Sequence, residues 1–433
     1  MIRRTLATAA RPLSSRYTSG LELIVEADCS WGKIGAQVAS HGRTCLAVLG
    51  DDTSSEAERC LFELRKIGIN CAVFTAQGAY PTVDGIDEAR GMAKRIGAGS
   101  IVGIGGGGTV DTAKGVARLY TSSGGCKHFL RSPSGLIMGE GSNSEPRAPV
   151  GDALPLVLVP TSAGAGAGVN GRCLVWHPED EVLVPMAETP GEGQPASVSL
   201  VDPNLCASLS KAHTAAMALT ALSACIDALL AWELALVPGR TPKDDDDTLL
   251  RLGTRGIGAV AEGLPVVLAG KKDALARELL TIGSVCAGQL SVITPAPPTQ
   301  MLARAVGSLV CRNSYPSICA MVLPHVVKDM LDQANSFDED AHVSEAIERA
   351  LSRSASILLG EGSDAQALLS WLETQERDWL SFTNLSAVDA TITAKEIVTN
   401  VEMLLALEED TDAADRVWSG GSRILNVAEL VVG

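Results

Sequence analysis

The chain has 433 residues, of which 46% are hydrophobic, 20% charged and 3% aromatic. It is too apolar for a disordered chain and long enough for two domains with separate cores. Its net charge of −16 argues against binding to nucleic acid or to anionic membranes by bulk charge. No uninterrupted apolar stretch reaches the roughly 20 residues that a membrane-spanning helix needs, so we expect no membrane partner.

Eleven cysteines are scattered along the chain, and none of them forms a C-x-x-C pair. An odd number of widely spaced cysteines in a chain of this length is typical of buried, reduced thiols. We therefore expect free thiols in a reducing compartment, and neither a disulfide framework nor a zinc-ribbon site.

Residues 1–20 differ in composition from the rest of the chain. They contain four arginines and several serines and threonines, and the first carboxylate is Glu22. Such a segment is typical of a mitochondrial transit peptide, and it lacks the continuous apolar centre of a secretory signal. We predict that residues 1 to about 19 are removed and that the mature chain lies in the mitochondrial matrix. A plastid transit peptide shares this composition, and a frayed basic tail is the simpler alternative.

Short apolar runs alternate with amphipathic segments in the first part of the chain. The predicted strands are 44–49, 71–74, 100–104 and 155–159, and the predicted helices are 53–67, 84–97 and 109–119. Strands and helices that alternate in this way form βαβ units around a parallel sheet. We therefore predict an α/β, Rossmann-like domain over residues 21–205, with a surface loop or hairpin at 177–197.

Helical spacing without strands begins at about residue 206. The predicted helices are 212–236, 248–263, 272–290, 300–311, 317–333, 341–359, 364–374 and 393–407. The predicted breaks between helices are at Pro238, Pro265, 295–298 and 360–362. This pattern predicts an all-α domain over residues 206–433. In chains of this kind, ligands bind at the carboxyl ends of the parallel strands.

The strongest chemical signal is the run from Gly105 to Gly108, which follows a predicted strand and opens a helix that contains Asp111 and Lys114. Consecutive glycines let the backbone turn sharply and bring N–H groups against an anion without obstruction by Cβ atoms. The helix N-terminus adds partial positive charge. The pattern predicts a phosphate or pyrophosphate site, and a tight turn without a ligand is the structural alternative.

Two segments match a known family. Residues 104–114, I-G-G-G-G-T-V-D-T-A-K, resemble the G-G-G-S-x-x-D-x-A-K segment of the iron-containing alcohol dehydrogenases, relatives of the dehydroquinate synthase fold. Residues 160–166, P-T-S-A-G-A-G, resemble that family's P-T-T-A-G-T-G loop, and 323–325 match its L-P-H. The resemblance extends over about residues 22–410. It implies a dinucleotide-binding α/β domain followed by an all-α domain.

The resemblance implies NAD as the cofactor. The glycine run would hold the pyrophosphate, and Thr161 and Ser162 would approach the adenine and ribose side. Asp51, at the end of a predicted strand, would accept the ribose 2′-hydroxyl and repel a 2′-phosphate, which favours NAD over NADP. The adjacent Asp52 could take this role, and a turn-capping role is the alternative for Asp51. The implied cofactor-binding residues are Asp51, Gly105, Gly106, Gly107, Gly108, Asp111, Lys114, Thr161 and Ser162.

The chain departs from the family at the metal site. The family holds iron or zinc with one Asp and three His, and the first two lie four residues apart in a D-A-L-T-H-A-I-E-A segment. The matching stretch has Thr220 in place of the Asp and Ala224 in place of the His. Gln300 and Tyr315 stand at the other two ligand histidines. The resemblance therefore implies that the ligands are missing, and we predict no catalytic metal.

Other residues do not restore these ligands. An alternative register places Asp227 on the family's Asp, but it puts Ala231 at the histidine. Arg304 stands at a second active-site histidine of the family. No two of the six histidines share i, i+3 or i, i+4 spacing, so no zinc-binding or iron-binding cluster is visible.

Two hypotheses remain. In the first, the chain is an NAD-dependent oxidoreductase that acts without metal on a small alcohol or aldehyde, or on a hydroxy- or oxo-acid. Tyr315 then donates a proton to the carbonyl oxygen, Arg304 orients a carboxylate, and Gln300 donates a neutral hydrogen bond. In the second, the chain is a non-catalytic, nucleotide-binding subunit with a regulatory or structural role. Chemistry of the dehydroquinate synthase type would also need the missing metal. Either hypothesis is compatible with a homo-oligomer.

Overall fold

The computed structural model describes residues 21–50, 55–130, 152–186, 197–238, 246–294, 297–310, 315–335, 341–381, 384–389, 391–405 and 421–433. The predicted transit peptide at 1–20, Asp51 and Asp52 lie outside the described residues.

The chain divides into two compact units. The first consists of Met1–Ser162 with Gly166–Ser208, and the second of Ala163–Ala165 with Leu209–Gly433.

The first unit is built on a six-stranded sheet with the strand order β1-β8-β5-β4-β2-β3. The strands of this unit are β1 (Leu21–Val25), β2 (Thr44–Gly50), β3 (Asn70–Ala76), β4 (Ser100–Gly105), β5 (Leu156–Pro160), β6 (Leu174–His177), β7 (Val182–Pro185) and β8 (Ser197–Val201). Its helices are α1 (Cys29–Ala39), α2 (Ser55–Lys66), α3 (Val83–Ile96) and α4 (Gly107–Leu119). All pairs in the six-stranded sheet are parallel. The α/β prediction and the four predicted strands, which are β2 to β5, are therefore confirmed.

Two strands of this sheet, β1 and β8, were not predicted from the sequence. β1 directly follows the Arg-rich segment and contains Glu22, and β8 has serines at 197 and 199 between its apolar residues. Each has too few consecutive apolar side chains to stand out before its neighbours in the sheet are known. The hairpin predicted at 177–197 is confirmed in part, because β6 and β7 pair antiparallel but β6 begins at Leu174.

Helices cover both faces of the sheet. On one face α1 and α2 bury Ile34, Val38 and Leu64 against the strands. On the other, α4 packs directly on β4, because a Cβ on Gly103 would lie 2.7 Å from Cβ of Ala113. This close packing positions the beginning of α4 at the carboxyl end of β4.

The second unit is helical. Its helices are α5 (Lys211–Ala235), α6 (Asp246–Leu268), α7 (Ala274–Ile293), α8 (Pro298–Leu309), α9 (Tyr315–Ala334), α10 (Ala341–Leu359), α11 (Ala365–Trp379), α12 (Ala394–Leu405) and α13 (Gly421–Val432). By length and composition α5 could cross a membrane, but 94% of its most apolar window is buried inside the protein. A helix buried to this extent lies in the core of its unit.

One predicted helix boundary is wrong. We expected a break at Pro265, but α6 continues to Leu268. The proline falls in the last turn, where the N–H of Ala269 still donates to the carbonyl of Pro265 at 3.0 Å. A proline inside a helix disturbs the turn before it, where the carbonyl of residue i−4 loses its donor, so the last turn after Pro265 can still form. The breaks predicted at 295–298 and 360–362 are confirmed by the ends of α7 and α10.

The described cysteines are all free thiols, and all of them except Cys71 are buried. The prediction of buried, reduced thiols is confirmed for this part of the chain.

Candidate functional site

The glycine turn joins β4 to α4 at the carboxyl end of the sheet. Gly105 ends β4, is paired with Pro160 at the end of β5, and accepts the N–H of Thr161 at 2.9 Å. Gly106 is the N-cap of α4, with φ −74° and ψ −175°, and no side chain caps this helix. The first N–H groups of α4 therefore have neither intrahelical nor side-chain acceptors, and an anion could take that place.

Two of the four glycines are required by packing. A Cβ on Gly105, whose φ is +157°, would lie 2.8 Å from the side chain of Thr109. A Cβ on Gly108 would lie 2.5 Å from the carbonyl oxygen of Ala79. These glycines would be needed whether or not a ligand binds.

The other two glycines border open space. A Cβ on Gly106 would meet only the hydroxyl of Ser162, at 3.9 Å, and one on Gly107 only Cβ of Ala167, at 3.8 Å. Neither residue has a positive φ. A side chain at either position would fill the space beside the N-terminus of α4, so these two glycines form a cradle that fits a pyrophosphate. The predicted site residue Ser162 lies at this cradle.

Asp111 and Lys114 are buried below the turn. Nζ of Lys114 donates to Oδ1 of Asp111 at 2.9 Å, to the carbonyl of Ala167 at 2.5 Å and to that of Arg172 at 2.6 Å. Oδ2 of Asp111 accepts the N–H of Leu174 at 3.2 Å. Because an ammonium group has three hydrogens, Lys114 has none left for a phosphate in this arrangement. Both residues, which we predicted to bind the cofactor, tie α4 to the segment that follows β5.

Arg118 extends this connection. Its Nη2 donates to the carbonyl of Gly171 at 2.8 Å. Burial raises the pKa of Asp111, while the charges of Lys114 and Arg118 act in the opposite direction. The ionic side chains on α4 thus position a neighbouring loop.

In the second unit the structure brings Gln300 of α8 and Tyr315 of α9 together. Oη of Tyr315 donates to Oε1 of Gln300 at 2.7 Å. Nε2 of Gln300 donates to Oγ of Ser223 at 2.7 Å and to Sγ of Cys319 at 3.4 Å. Both hydrogens of this amide are therefore engaged. The donation from Gln300 to a substrate oxygen that we predicted is not available in this arrangement.

Thr220 of α5 adjoins this network. Its hydroxyl lies 2.8 Å from the carbonyl of Ala216 and 3.2 Å from that of Pro316. The carbonyl of Thr220 accepts the hydroxyl of Ser223 at 2.8 Å. Ala224, one turn after Thr220, is buried and has no donor atom in its side chain. We call the side chains of Thr220, Ser223, Gln300, Tyr315 and Cys319 the polar network.

The polar network does not fit a divalent metal. Its oxygen and nitrogen donors are neutral hydroxyl and amide groups that already bond to one another or to the backbone. Iron and zinc bind tightly to imidazole, thiolate and carboxylate groups. Among the described residues, no group of three or more His, Cys, Asp or Glu side chains could hold a metal ion.

Asp227 supports the beginning of α8. It is 1% exposed, and Oδ1 accepts the hydroxyl of Thr299 at 2.8 Å. Oδ2 accepts the N–H of Gln300 at 3.4 Å. The N-cap of α8, Pro297, offers no side-chain cap, so Asp227 supplies this cap from another helix. Burial raises the pKa of Asp227 to about 7, although its hydrogen bonds lower it.

The roles of Ser223, Asp227 and Cys319 were not predicted from the sequence. Thr220, Ser223 and Asp227 are spaced i, i+3 and i+7 on an otherwise apolar helix, and that polar stripe was a usable signal. Cys319 offered none. The predicted Arg304 lies one turn after Gln300 on α8 and is buried.

The model of the iron-containing alcohol dehydrogenase family matches residues 22–203. The NAD-dependent methanol dehydrogenase of Bacillus methanolicus is 25% identical over 259 residues, which are 59% of this chain and 61% of that protein. The mitochondrial hydroxyacid-oxoacid transhydrogenase of Caenorhabditis elegans is 32% identical over 118 residues, 27% of this chain and 23% of that protein. The chain thus spans about six tenths of the length of the first of these relatives.

The similarity of fold to solved structures extends over more of the chain than the sequence matches do. The crystal structure of a variant of an archaeal, halo-thermophilic alcohol dehydrogenase from a Red Sea brine pool has a TM-score of 0.76 and 17% identity to this chain. The match covers 94% of this chain and 96% of that one. The first unit thus matches the model of the iron-containing alcohol dehydrogenase family, and most of the chain shares the fold of that archaeal alcohol dehydrogenase.

Proposed function

We propose that this protein is an NAD-dependent oxidoreductase that works without a bound metal. It would transfer a hydride between NAD(H) and a small alcohol or aldehyde, or a hydroxy- or oxo-acid. The observation that carries the proposal is the cradle at Gly106 and Gly107, where neither packing nor backbone conformation requires glycine. The match of the first unit to the model of the iron-containing alcohol dehydrogenase family supports the class of reaction.

The first unit would hold the cofactor. The pyrophosphate would accept hydrogen bonds from the first N–H groups of α4, beside the hydroxyl of Ser162, with Thr161 next to it. Asp51, which follows β2, would accept the ribose 2′-hydroxyl and so favour NAD over NADP. When bound, the nicotinamide ring supplies or accepts the hydride. The name of the NAD-dependent methanol dehydrogenase supports the choice of cofactor.

Asp111 and Lys114 would act as positioning residues. Their bonds to Ala167, Arg172 and Leu174 hold the backbone that follows Ser162. That backbone borders the cradle, because Ala167 is the nearest neighbour of a Cβ on Gly107. Their contribution to cofactor binding would therefore be indirect.

Tyr315 would be the proton donor in the second unit. It is half-buried, and its hydroxyl hydrogen is directed to Oε1 of Gln300. A rotation about the Cζ–Oη bond would redirect this hydrogen to a substrate carbonyl oxygen. The proton would then balance the negative charge that the arriving hydride creates there, and the product would be the alcohol. Gln300 would hold the phenol in place rather than bind substrate itself.

Arg304 would select the substrate. A buried guanidinium group on the same face of α8 as Gln300 suits a carboxylate, which it can bind with two parallel hydrogen bonds. This arrangement favours hydroxy- and oxo-acids over simple alcohols. The hydroxyacid-oxoacid transhydrogenase relative supports that preference.

An activity assay of the full chain tests this proposal directly. NADH oxidation would be followed with short-chain aldehydes and with oxo-acids, with and without a chelator. We expect turnover that the chelator does not change. Tyr315→Phe should lower kcat by about 100-fold or more and leave the Kd for NADH unchanged, because general acid catalysis contributes about that much. Tyr120→Phe, in the first unit, is the matched control.

The other outcomes separate the hypotheses. NADH binding without turnover of any carbonyl compound would favour the non-catalytic subunit. Turnover that disappears with the chelator would show a metal-dependent dehydrogenase. A preference for NADPH would contradict the role given to Asp51.

We also propose that the mature protein lies in the mitochondrial matrix. The support is the composition of residues 1–20 and the mitochondrial transhydrogenase relative. N-terminal sequencing of the native protein should begin near residue 20, and an intact Met1 would contradict the proposal.

A further inference from the structure

Cys45 and Cys71 lie opposite each other on two neighbouring strands. They are paired in the parallel register of β2 and β3, and Sγ of Cys45 is 3.4 Å from Sγ of Cys71. Paired residues on neighbouring strands are about 4.8 Å apart, which is within the Cα separation that a disulfide requires. The two sulfurs would move together by little more than an ångström to reach a bond of about 2.05 Å.

The two thiols differ in access and in acidity. Cys45 is fully buried, whereas Cys71 is half-buried on β3, which is the edge strand. The Cys45 thiol donates to the Cys71 sulfur and lowers the pKa of Cys71, and the charge of Arg65 acts in the same direction against the effect of burial. The thiolate is the form that attacks oxidants.

The neighbouring cysteines offer a contrast. Cys29 and Cys60 belong to the same core cluster. Burial raises the pKa of Cys29 and of Cys60 to about 12. Cys29 and Cys60 therefore remain protonated and buried, whereas Cys71 is partly exposed.

We propose that Cys45 and Cys71 are a redox modification site that forms a reversible disulfide with hydrogen peroxide. The Cys71 thiolate attacks one peroxide oxygen, the O–O bond breaks, hydroxide leaves, and Cys71 becomes a sulfenic acid. The Cys45 sulfur then attacks the Cys71 sulfur, an S–S bond forms, and water leaves with the Cys45 proton. In sum two thiols lose two electrons and two protons, and one peroxide is reduced to two waters.

The disulfide would close the β2–α2–β3 segment into a loop. The cysteines are 26 residues apart, and the segment between them includes α2 and Asp51. Closing a loop of this length restricts the unfolded chain, so we expect the oxidised protein to unfold at a higher temperature than the reduced one. This inference does not depend on the proposed oxidoreductase activity.

Peroxide treatment of the full chain tests the proposal. Peptide mapping by mass spectrometry should show one cross-link between Cys45 and Cys71, with the loss of two hydrogens, and dithiothreitol should reverse it. The Cys45→Ser variant should retain Cys71 as a sulfenic acid that dimedone labels, and Cys71→Ser should show neither product. Cys60→Ser is the matched control and should cross-link like the natural chain.

Two results would overturn it. One is a peroxide-treated natural chain in which both thiols remain reduced. The other is oxidation of the natural chain that joins different cysteines. For the variant, labelling of Cys45→Ser by dimedone elsewhere but not at Cys71 would contradict the role given to Cys71. The measurement on the natural chain does not rely on any variant folding correctly.

Discussion

The hydroxyl of Tyr315 donates a 2.7 Å hydrogen bond to Oε1 of Gln300, so two side chains that we predicted at the family's metal-ligand positions bind each other. Ser223 and Cys319 accept the two hydrogens of the Gln300 amide. These bonds join α5, α8 and α9. The polar groups are buried but partnered, which avoids the cost of leaving them unsatisfied.

We expect the natural chain to retain well under one equivalent of Fe(II) or Zn(II). Neutral hydroxyl and amide groups that are already hydrogen-bonded cannot replace three imidazoles and a carboxylate. Elemental analysis after purification without chelators, followed by incubation with each ion, measures the retention. One retained equivalent, with activity that a chelator abolishes, would contradict this prediction.

Restoring the ligands should create a metal site. The combined variant Thr220→Asp, Ala224→His, Gln300→His and Tyr315→His would place one carboxylate and three imidazoles at the matching positions. We expect it to bind about one equivalent of zinc by titration calorimetry. The single variant Gln300→His is the control and should bind far more weakly. A combined variant that is folded by circular dichroism but binds no zinc would show that these positions are wrongly aligned.

Gly107→Val should weaken NADH binding without unfolding the protein. Its Cβ would meet no atom closer than 3.8 Å, but the branched side chain would occupy the cradle beside α4. We expect the Kd for NADH to rise at least tenfold, about 1.4 kcal/mol. Gly32→Val is the control, because a Cβ there also has no neighbour within 4 Å. Equal affinity in the natural chain and in Gly107→Val would rule out the cradle.

Lys114→Met should be strongly destabilising. It removes three hydrogen bonds and leaves the Asp111 carboxylate buried without its cation, which typically costs about 3–5 kcal/mol. Adding Asp111→Leu removes the unpaired charge, so the double variant should be more stable than Lys114→Met. Urea unfolding of the natural chain, both single variants and the double variant measures the coupling. Simple additivity would mean that the two side chains do not act together.

The ionisation of Asp227 should make stability depend on pH. Its pKa of about 7 in the folded protein is above the value of about 3.9 expected for an unfolded Asp. The folded state therefore keeps a proton that the unfolded state loses. The stability that this proton contributes is complete below about pH 4 and is lost as the pH rises to about 7.

The Asp227→Asn variant measures this contribution. Between about pH 4 and about pH 7, the free energy of unfolding of the natural chain should fall relative to that of the variant by up to about 4 kcal/mol. Urea unfolding at several pH values gives the difference. A difference that does not change over this range would show that the buried carboxyl ionises like an exposed one.

The sequence by itself determined the order of the two units and the position of the glycine turn. Short apolar runs alternate with amphipathic segments up to β5, and helical spacing without strands begins at about residue 206. The spacing of apolar residues reflects which faces of each element must be buried. Four glycines after a buried strand have few uses other than a tight turn or an anion site, so the location of the cradle followed from local composition.

Only the tertiary structure decided what individual side chains do. Lys114 bonds to carbonyls 53 and 58 residues away, and Gln300 bonds to Ser223 at a separation of 77. The contacts that separate Gly107, which borders open space, from Gly108, which packs on Ala79, also come from distant segments. Hydrogen bonding and close packing depend on distance in space, and a one-dimensional pattern does not specify which segments will meet.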